Sequence, residues 1–300
     1  MRTKFLNNRN HIQGFLRLMI ALTFCIMFFH CSSAQTTFRV QVIGNGAPMI
    51  LIPGMSCSGD VWKSTVIHYQ DKYQCHVLTL AGFAGVPPVQ DDAFLDHVKN
   101  DVIEYIKENN LKKPVLVGHS LGGFIAMWVA SEEPNLVGKL VIVDALPYLP
   151  AAHYPNMTPQ VAYPFATKLK ERIIAQPDDQ YKAAQKYNFR TLITDTATAN
   201  AAGIWGVNSD KTTVAECTFE MQTIDLREEI QKITAPTLVF ATWIGNQQEQ
   251  THDGVGEIFK AQYYLLKNYK LVIEDNARNF VMLDDPQVFF DEMDKFLSGN

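Results

Sequence analysis

The chain has 300 residues, of which 47% are hydrophobic, and a formal net charge of −5 at pH 7. This length and apolar content are enough to bury the core of one large domain, and they exclude an intrinsically disordered chain. The acidic balance argues against nucleic acid as a partner, because proteins that bind it carry clustered positive charge.

Residues 1–34 have the features of a secretory signal peptide. Residues 1–17 contain four basic residues and no acidic one. They are followed directly by an apolar run at 18–29, which is short for a membrane-spanning helix. Ser32 and Ala34 are the small residues expected just before a cleavage site. The sequence therefore predicts a secreted or periplasmic protein with no stable membrane association after cleavage, and an uncleaved anchor is the alternative.

Metal and cofactor motifs are not evident in the chain. No His-x-x-x-His or cysteine pair has the spacing of metal ligands, and no glycine motif for a dinucleotide follows a strand. Cys57, Cys75 and Cys217 follow the leader and allow at most one internal disulfide, whose pairing stays open. We therefore expect no cofactor and no metal.

Short apolar, β-branched runs alternate with helical patterns on both sides of a central segment, which predicts parallel strands joined by helical crossovers. The first two runs flank a Gly-Asn-Gly turn, which predicts an opening hairpin. Strands are expected at 38–43, 49–52, 76–80, 115–117, 140–143, 237–241 and 270–273, and helices at 59–69, 91–108, 124–131, 258–266 and 286–297.

The segment 147–233 does not follow this alternation, because it contains six prolines, several helical stretches and no convincing strand. We interpret it as a helical lid inserted after the sixth core strand, with the core formed by 35–146 and 234–300. Its aromatic residues either line an acyl pocket or pack the lid on the core; they are Tyr148, Tyr154, Tyr163, Phe165 and Trp205.

A Gly-x-Ser-x-Gly pentapeptide, Gly118 to Gly122, lies between an apolar run and a helical pattern. That context is typical of a nucleophile elbow, in which a strained turn between strand and helix exposes the serine hydroxyl. The N–H of Leu121, at the start of the helix, would point to the place where a tetrahedral oxyanion forms.

With these motifs the chain resembles the α/β-hydrolase superfamily over nearly all of its length after the leader. The motifs occur in the family's order: the Pro53-Gly54 loop that closes with Trp62, Leu80-Ala81-Gly82-Phe83, the elbow, Ala235-Pro236-Thr237, and the C-terminal segment 278–286. The resemblance implies an α/β fold with a mostly parallel, twisted sheet flanked by helices.

The resemblance also implies roles for particular residues. Ser120 would be the nucleophile, and the backbone N–H groups of Met55 and Leu121 would form the oxyanion hole. The substrate would be a small-molecule ester or a related acyl compound.

The position of the family's catalytic histidine is occupied by Asn279. A neutral amide is far too weak a base to take the serine proton, so a hydrogen bond from it would hold the hydroxyl without activating it. Three explanations stay open: a naturally inactive relative, an engineered substitution in an otherwise active enzyme, or a base supplied by another histidine.

The triad acid and a displaced base each have several candidates. No carboxylate directly follows the strand at 237–241, where the family's acid usually lies. The resemblance offers a second position, because some relatives carry the acid at the end of the preceding core strand, where this chain has Asp144. Asp144 therefore ranks first, Asp253 second and Glu249 third. His119 is expected to be structural and to face away from the pocket, whereas His153 and His252 lie on segments that could reach the site.

Two classes of function therefore stay open. One is a secreted serine hydrolase of carboxylic esters whose activity is impaired at position 279. The other is a catalytically inactive protein that uses the same pocket to bind a ligand or partner.

Overall fold

The computed structural model describes residues 36–89, 92–245 and 250–299. Their seven strands form one sheet in the order β1-β3-β2-β4-β5-β6-β7, in which only β1 is antiparallel to its neighbour. This confirms the predicted α/β-hydrolase architecture. The strands are β1 (Phe38–Ile43), β2 (Ala47–Ile52), β3 (Tyr73–Leu80), β4 (Val115–His119), β5 (Lys139–Val143), β6 (Thr237–Thr242) and β7 (Tyr269–Glu274).

Helices cover both faces of the sheet, and alternate strand residues enter two separate cores, as the period of two in a strand requires. Ile50 and Ile52 face a core with α2, α3 and α8, whereas Met49 and Leu51 face a core with α1 and α10. The helices are α1 (Lys63–Tyr69), α2 (Phe94–Glu108), α3 (Leu121–Glu132), α4 (Pro159–Ala175), α5 (Asp178–Leu192), α6 (Thr196–Val207), α7 (Lys211–Thr223), α8 (His252–Gln262), α9 (Val281–Asp284) and α10 (Pro286–Ser298).

The expected hairpin of β1 and β2 is wrong, because β3 lies between the two strands and pairs with both. The connecting loop instead passes the residues that lead into β3. Gly44 and Gly46 both have positive φ, and a Cβ on either would lie within 2.6 Å of a backbone oxygen in the segment 70–73. The glycines therefore serve a close crossing and not a tight two-residue turn.

The segment 147–233 contains four α-helices and no strand. It follows β5, the fifth strand in chain order among the described residues, and not a sixth core strand as expected. Within the segment α4 packs against α7 and α5 packs against α6. The boundaries of a lid domain stay a prediction.

The signal peptide and its cleavage site lie outside the described residues, as does Glu249. Within the described ranges, no helix combines the length and the hydropathy that crossing a membrane requires.

Candidate active site

Ser120 lies in a sharp turn between β4 and α3. Its φ of 49° and ψ of −116° are strained for a residue with a side chain. A Cβ on Gly118 would lie 2.2 Å from the Gly122 carbonyl oxygen, and one on Gly122 would lie 2.2 Å from that of Ile52. Only glycine fits at these two positions, so the Gly-x-Ser-x-Gly spacing is a steric requirement of the turn.

The half-buried Ser120 lines a cavity of about 540 Å³. Among the described residues, its hydroxyl has no hydrogen-bond partner. Leu121 is the first residue of α3, where backbone N–H groups have no acceptor within the helix. Met55 follows the Pro53-Gly54 loop after β2 and lines the same cavity as Ser120. Of the two residues expected at the oxyanion hole, Leu121 is the chain neighbour of Ser120 and Met55 shares its cavity.

Asp144 directly follows β5 and also has a positive φ, 47°. Its Oδ1 accepts a hydrogen bond of 3.1 Å from the Thr242 backbone N–H, and its Oδ2 accepts one of 2.7 Å from Nδ2 of Asn279. The carboxylate that ranked first from the sequence therefore contacts the residue at the expected histidine position.

Asn279 also accepts a hydrogen bond from His119. The His119 Nε2 lies 2.8 Å from Oδ1 and 3.1 Å from the backbone oxygen of Asn279. Because both oxygens are acceptors, Nε2 carries the proton and Nδ1 is the unprotonated nitrogen. The result is one chain of hydrogen bonds, from His119 to Asn279 and from Asn279 to Asp144.

Burial changes the proton affinity of the two outer residues of this hydrogen-bonded series, His119 and Asp144. Burial lowers the pKa of His119 to about 4, although the hydrogen bonds with Asn279 act in the opposite direction. Burial also raises the pKa of Asp144 to about 6, against the hydrogen bonds from Asn279 and Thr242. At pH 7 the imidazole is therefore neutral and the carboxylate is ionised.

The other candidates from the sequence lie away from Ser120. Asp253 is at the start of α8 with a side chain that is 99% exposed. His252 lies 3.2 Å from Asp275, and His153 lines a different hollow on the helical segment. None of these three side chains lines the cavity that contains Ser120.

Residues of the helical segment and of the core both line the cavity. The aromatic residues proposed for it from the sequence do not line it: Tyr148 is buried elsewhere, and Tyr154 and Phe165 line another hollow. The helices instead contribute Leu169, Arg172, Ile173, Tyr181, Ala184, Gln185, Asn188, Phe189, Leu192, Val214 and Thr218.

Cys57, Cys75 and Cys217 are all buried free thiols. In the part of the chain that the structure describes, no group of three or more His, Cys, Asp or Glu side chains could hold a metal ion.

Residues 49–292, which include the elbow and six of the seven strands in whole or in part, match the sequence profile of one family of known proteins. The chain belongs to the alpha/beta hydrolase family. It is 26% identical over 202 residues to a pimeloyl-[acyl-carrier protein] methyl ester esterase of Vibrio cholerae, with 66% of this chain and 76% of the relative covered. The enzyme of the same name from Legionella pneumophila is 23% identical over 258 residues, which cover 85% of this chain and 96% of the relative.

Among solved structures, a bromoperoxidase from Bacillus anthracis has a TM-score of 0.73 at 17% identity, covering 87% of this chain and 95% of its own. That likeness shows the fold of this alpha/beta hydrolase and not its reaction.

Sequence reasoning missed one contact in this alpha/beta hydrolase, the hydrogen bond between His119 and Asn279. The signal was present in the strand pattern. His119 follows Val115 and Val117 with a period of two, and both valines enter the core that contains Phe280. His119 therefore faces the segment that contains Asn279, and the expectation that it turns away from the pocket is wrong.

Proposed function

We propose that this chain is a serine hydrolase of carboxylic esters whose turnover is reduced by Asn279. The observation that supports it is the Ser120 hydroxyl in a strained elbow, beside a cavity that Asn279 also lines and with Asp144 hydrogen-bonded to Asn279. The fold and the family support the same chemistry.

In the proposed reaction, the Ser120 Oγ forms a bond to the ester carbonyl carbon, and the carbonyl electrons move to its oxygen. The N–H groups of Leu121 and Met55 stabilise that oxyanion. The alkoxide of the ester then leaves and takes a proton, and water hydrolyses the acyl-enzyme to release the acid and restore Ser120.

The slow steps are those that need a base. Asn279 cannot accept the Ser120 proton, which must pass to solvent, and it cannot activate the water that attacks the acyl-enzyme. Loss of a triad member reduces turnover by on the order of 10⁴ to 10⁶, and the oxyanion hole and binding retain about 10³ to 10⁴ over water.

Hydrolysis of p-nitrophenyl acetate and butyrate tests the proposal in the full-length chain and its Asn279→His and Ser120→Ala variants. We expect Asn279→His to raise turnover by about three orders of magnitude and Ser120→Ala to abolish it in that background. The Asp144 carboxylate would then accept from the new imidazole, and His119 would keep its contact with the backbone oxygen of residue 279.

An exposed imidazole by itself reacts with p-nitrophenyl esters, so a matched control is needed. Asn135→His places an imidazole on an exposed loop that does not line the cavity. A gain in Asn135→His equal to that in Asn279→His, or no effect of Ser120→Ala, would overturn the proposal.

A second candidate function is ligand binding without catalysis. The observation that favours it is that Asp144 and His119 together engage both ends of the Asn279 carboxamide, which leaves a neutral and fixed site. A fluorophosphonate probe separates the two functions, because a hydrolase is labelled at Ser120, even if slowly, and a binding protein is not.

We also propose, from the sequence features alone, that residues 1–34 direct export and are removed. Expression in a bacterial host with N-terminal sequencing of the exported protein tests this. A mature terminus at Gln35 would support the proposal, and retention of the whole leader in the cytoplasm would overturn it.

A further inference from the structure

The cavity that contains Ser120 is lined by both apolar and polar side chains. Met55, Phe189 and Phe280 are among the apolar ones. The helical segment contributes the polar side chains of Arg172, Gln176, Gln185 and Asn188. A ligand with its ester at Ser120 would therefore meet apolar walls from both parts of the chain and polar groups from the helices.

Among the residues that the structure describes, one residue that lines the cavity is charged at pH 7, the exposed Arg172 in the last turn of α4. His119 is neutral because burial lowers its pKa to about 4, and burial keeps the Cys57 thiol and Tyr181 phenol neutral by raising their pKa. No Asp or Glu of the described ranges lines the cavity.

Arg172 has no acidic partner among the residues that the structure describes. Two carboxylates of the helical segment are bound to lysines: Asp178 lies 2.7 Å from Lys211, and Glu216 is paired with Lys170. A guanidinium without a counter-ion in the wall of a cavity can bind a planar anion through two parallel hydrogen bonds.

We infer that the cavity takes acyl esters that carry a second carboxylate at the far end of the acyl chain, with that carboxylate bound by Arg172. The inference rests on the proposed function, because it places the ester group at Ser120. The volume of about 540 Å³ is within the range of small-molecule sites.

Calorimetric titration of the full-length Ser120→Ala chain, which leaves the ligand intact, tests the inference. Three ligands of similar length are compared: monomethyl adipate, its neutral terminal amide methyl adipamate, and methyl hexanoate. Since a charge-assisted hydrogen bond is stronger than a neutral one, we expect monomethyl adipate to bind about tenfold more tightly than the other two.

Two arginine variants locate the preference. Arg172→Gln removes the charge and retains hydrogen-bonding groups, and it should abolish the preference for the carboxylate. Arg190→Gln is the matched control, because Arg190 is an exposed arginine of α5 that does not line the cavity, and it should leave the preference intact.

Equal affinity for the three ligands, persistence of the preference in Arg172→Gln, or no binding of any ligand at millimolar concentration would each overturn the inference. These results are independent of fluorophosphonate labelling. Labelling of Ser120 without a carboxylate preference leaves the hydrolase and removes the inference, whereas a preference without labelling indicates a binding protein for such esters.

Discussion

The carboxamide of Asn279 donates to Asp144 over 2.7 Å. The same amide accepts from His119, so Asn279 is fixed at both of its polar side-chain atoms. In the proposed hydrolase, this carboxamide occupies the position of the group that would take the serine proton.

Asp144 and His119, which lie at the two ends of this hydrogen-bonded series, should have opposite effects on the free energy of unfolding in the same pH range. The pKa of Asp144 is raised on folding from 3.8 to about 6, so its stabilising contribution is complete below pH 4 and is lost as the pH rises through 6. The pKa of His119 is lowered from 6.5 to about 4, so its contribution is complete above pH 6.5 and is lost as the pH falls toward 4.

Single variants should reveal the pH dependence of the unfolding free energy that each residue contributes. Relative to the wild type, His119→Gln should lose unfolding free energy as the pH rises from 4 to 6.5, and Asp144→Asn should gain it, each by on the order of 2–3 kcal/mol. Urea unfolding at pH 4.5, 5.5 and 6.5 measures this. If the unfolding free energy changed with pH in the same way in the wild type and both variants, the opposite effects of Asp144 and His119 would be contradicted.

The elbow should not tolerate a methyl group. Gly122→Ala would place its Cβ 2.2 Å from a backbone oxygen of Ile52, and neither group can move without shifting β2 or α3. We expect a loss of about 3 kcal/mol in unfolding free energy, measured by urea denaturation.

Gly203 is the matched control for that substitution. It lies inside α6, and a Cβ there would have its nearest neighbour at 3.5 Å, an ordinary contact. Gly203→Ala should stabilise the protein by roughly 0.5–1 kcal/mol. A similar loss in both variants would show that the contact at the elbow is not the cause.

The backbone after Asp144 depends on a buried tyrosine. Tyr263 donates from its hydroxyl to the Ala145 carbonyl oxygen over 2.7 Å. Tyr263→Phe leaves that oxygen without this donor and should cost about 1–2 kcal/mol of unfolding free energy.

Tyr264→Phe serves as the comparison, because Tyr264 is 64% exposed and its hydroxyl lies 3.4 Å from Glu228. Its effect should stay within about 0.5 kcal/mol. Thermal or urea unfolding of the pair decides the matter, and equal effects would refute the role of the buried hydroxyl.

The thiols of Cys57, Cys75 and Cys217 should not react with disulfide reagents in the folded protein. Burial raises the pKa of Cys75 to about 11 and raises the pKa of Cys57 and Cys217 as well, so almost no thiolate is present at pH 8. In a chain with Cys25→Ser and Cys31→Ser, a disulfide reagent should titrate three thiols in urea and almost none without it. One thiol in urea would indicate a disulfide.

The features predicted correctly from the sequence are those that depend on local pattern. The central parallel strands β4, β5 and β6 are short apolar runs buried on both faces. The elbow is fixed by the glycines at 118 and 122. The partner of β1 was missed because pairing depends on β3, which lies 30 residues farther along the chain, and not on the turn at 44–46.

The contents of the cavity were harder to predict for a related reason. The side chains that face Ser120 from α4 and α5 depend on how those helices pack together, and aromatic character alone does not determine it. Asp144 could be ranked first because some members of the superfamily that the chain resembles carry their acid at the end of this core strand. The contact of His119 with Asn279 joins residues 160 positions apart.

The groups proposed for bond making come from the ends of β2, β4 and β5 and from the loop after β7, whereas the far wall of the cavity is built from one uninterrupted stretch of helices. If the proposed function is correct, the helical part of the substrate pocket and the reacting groups are encoded in separate parts of the gene. Exchange of residues 147–233 for the equivalent stretch of a relative would change what enters the cavity while leaving Ser120, Asp144 and Asn279 in place.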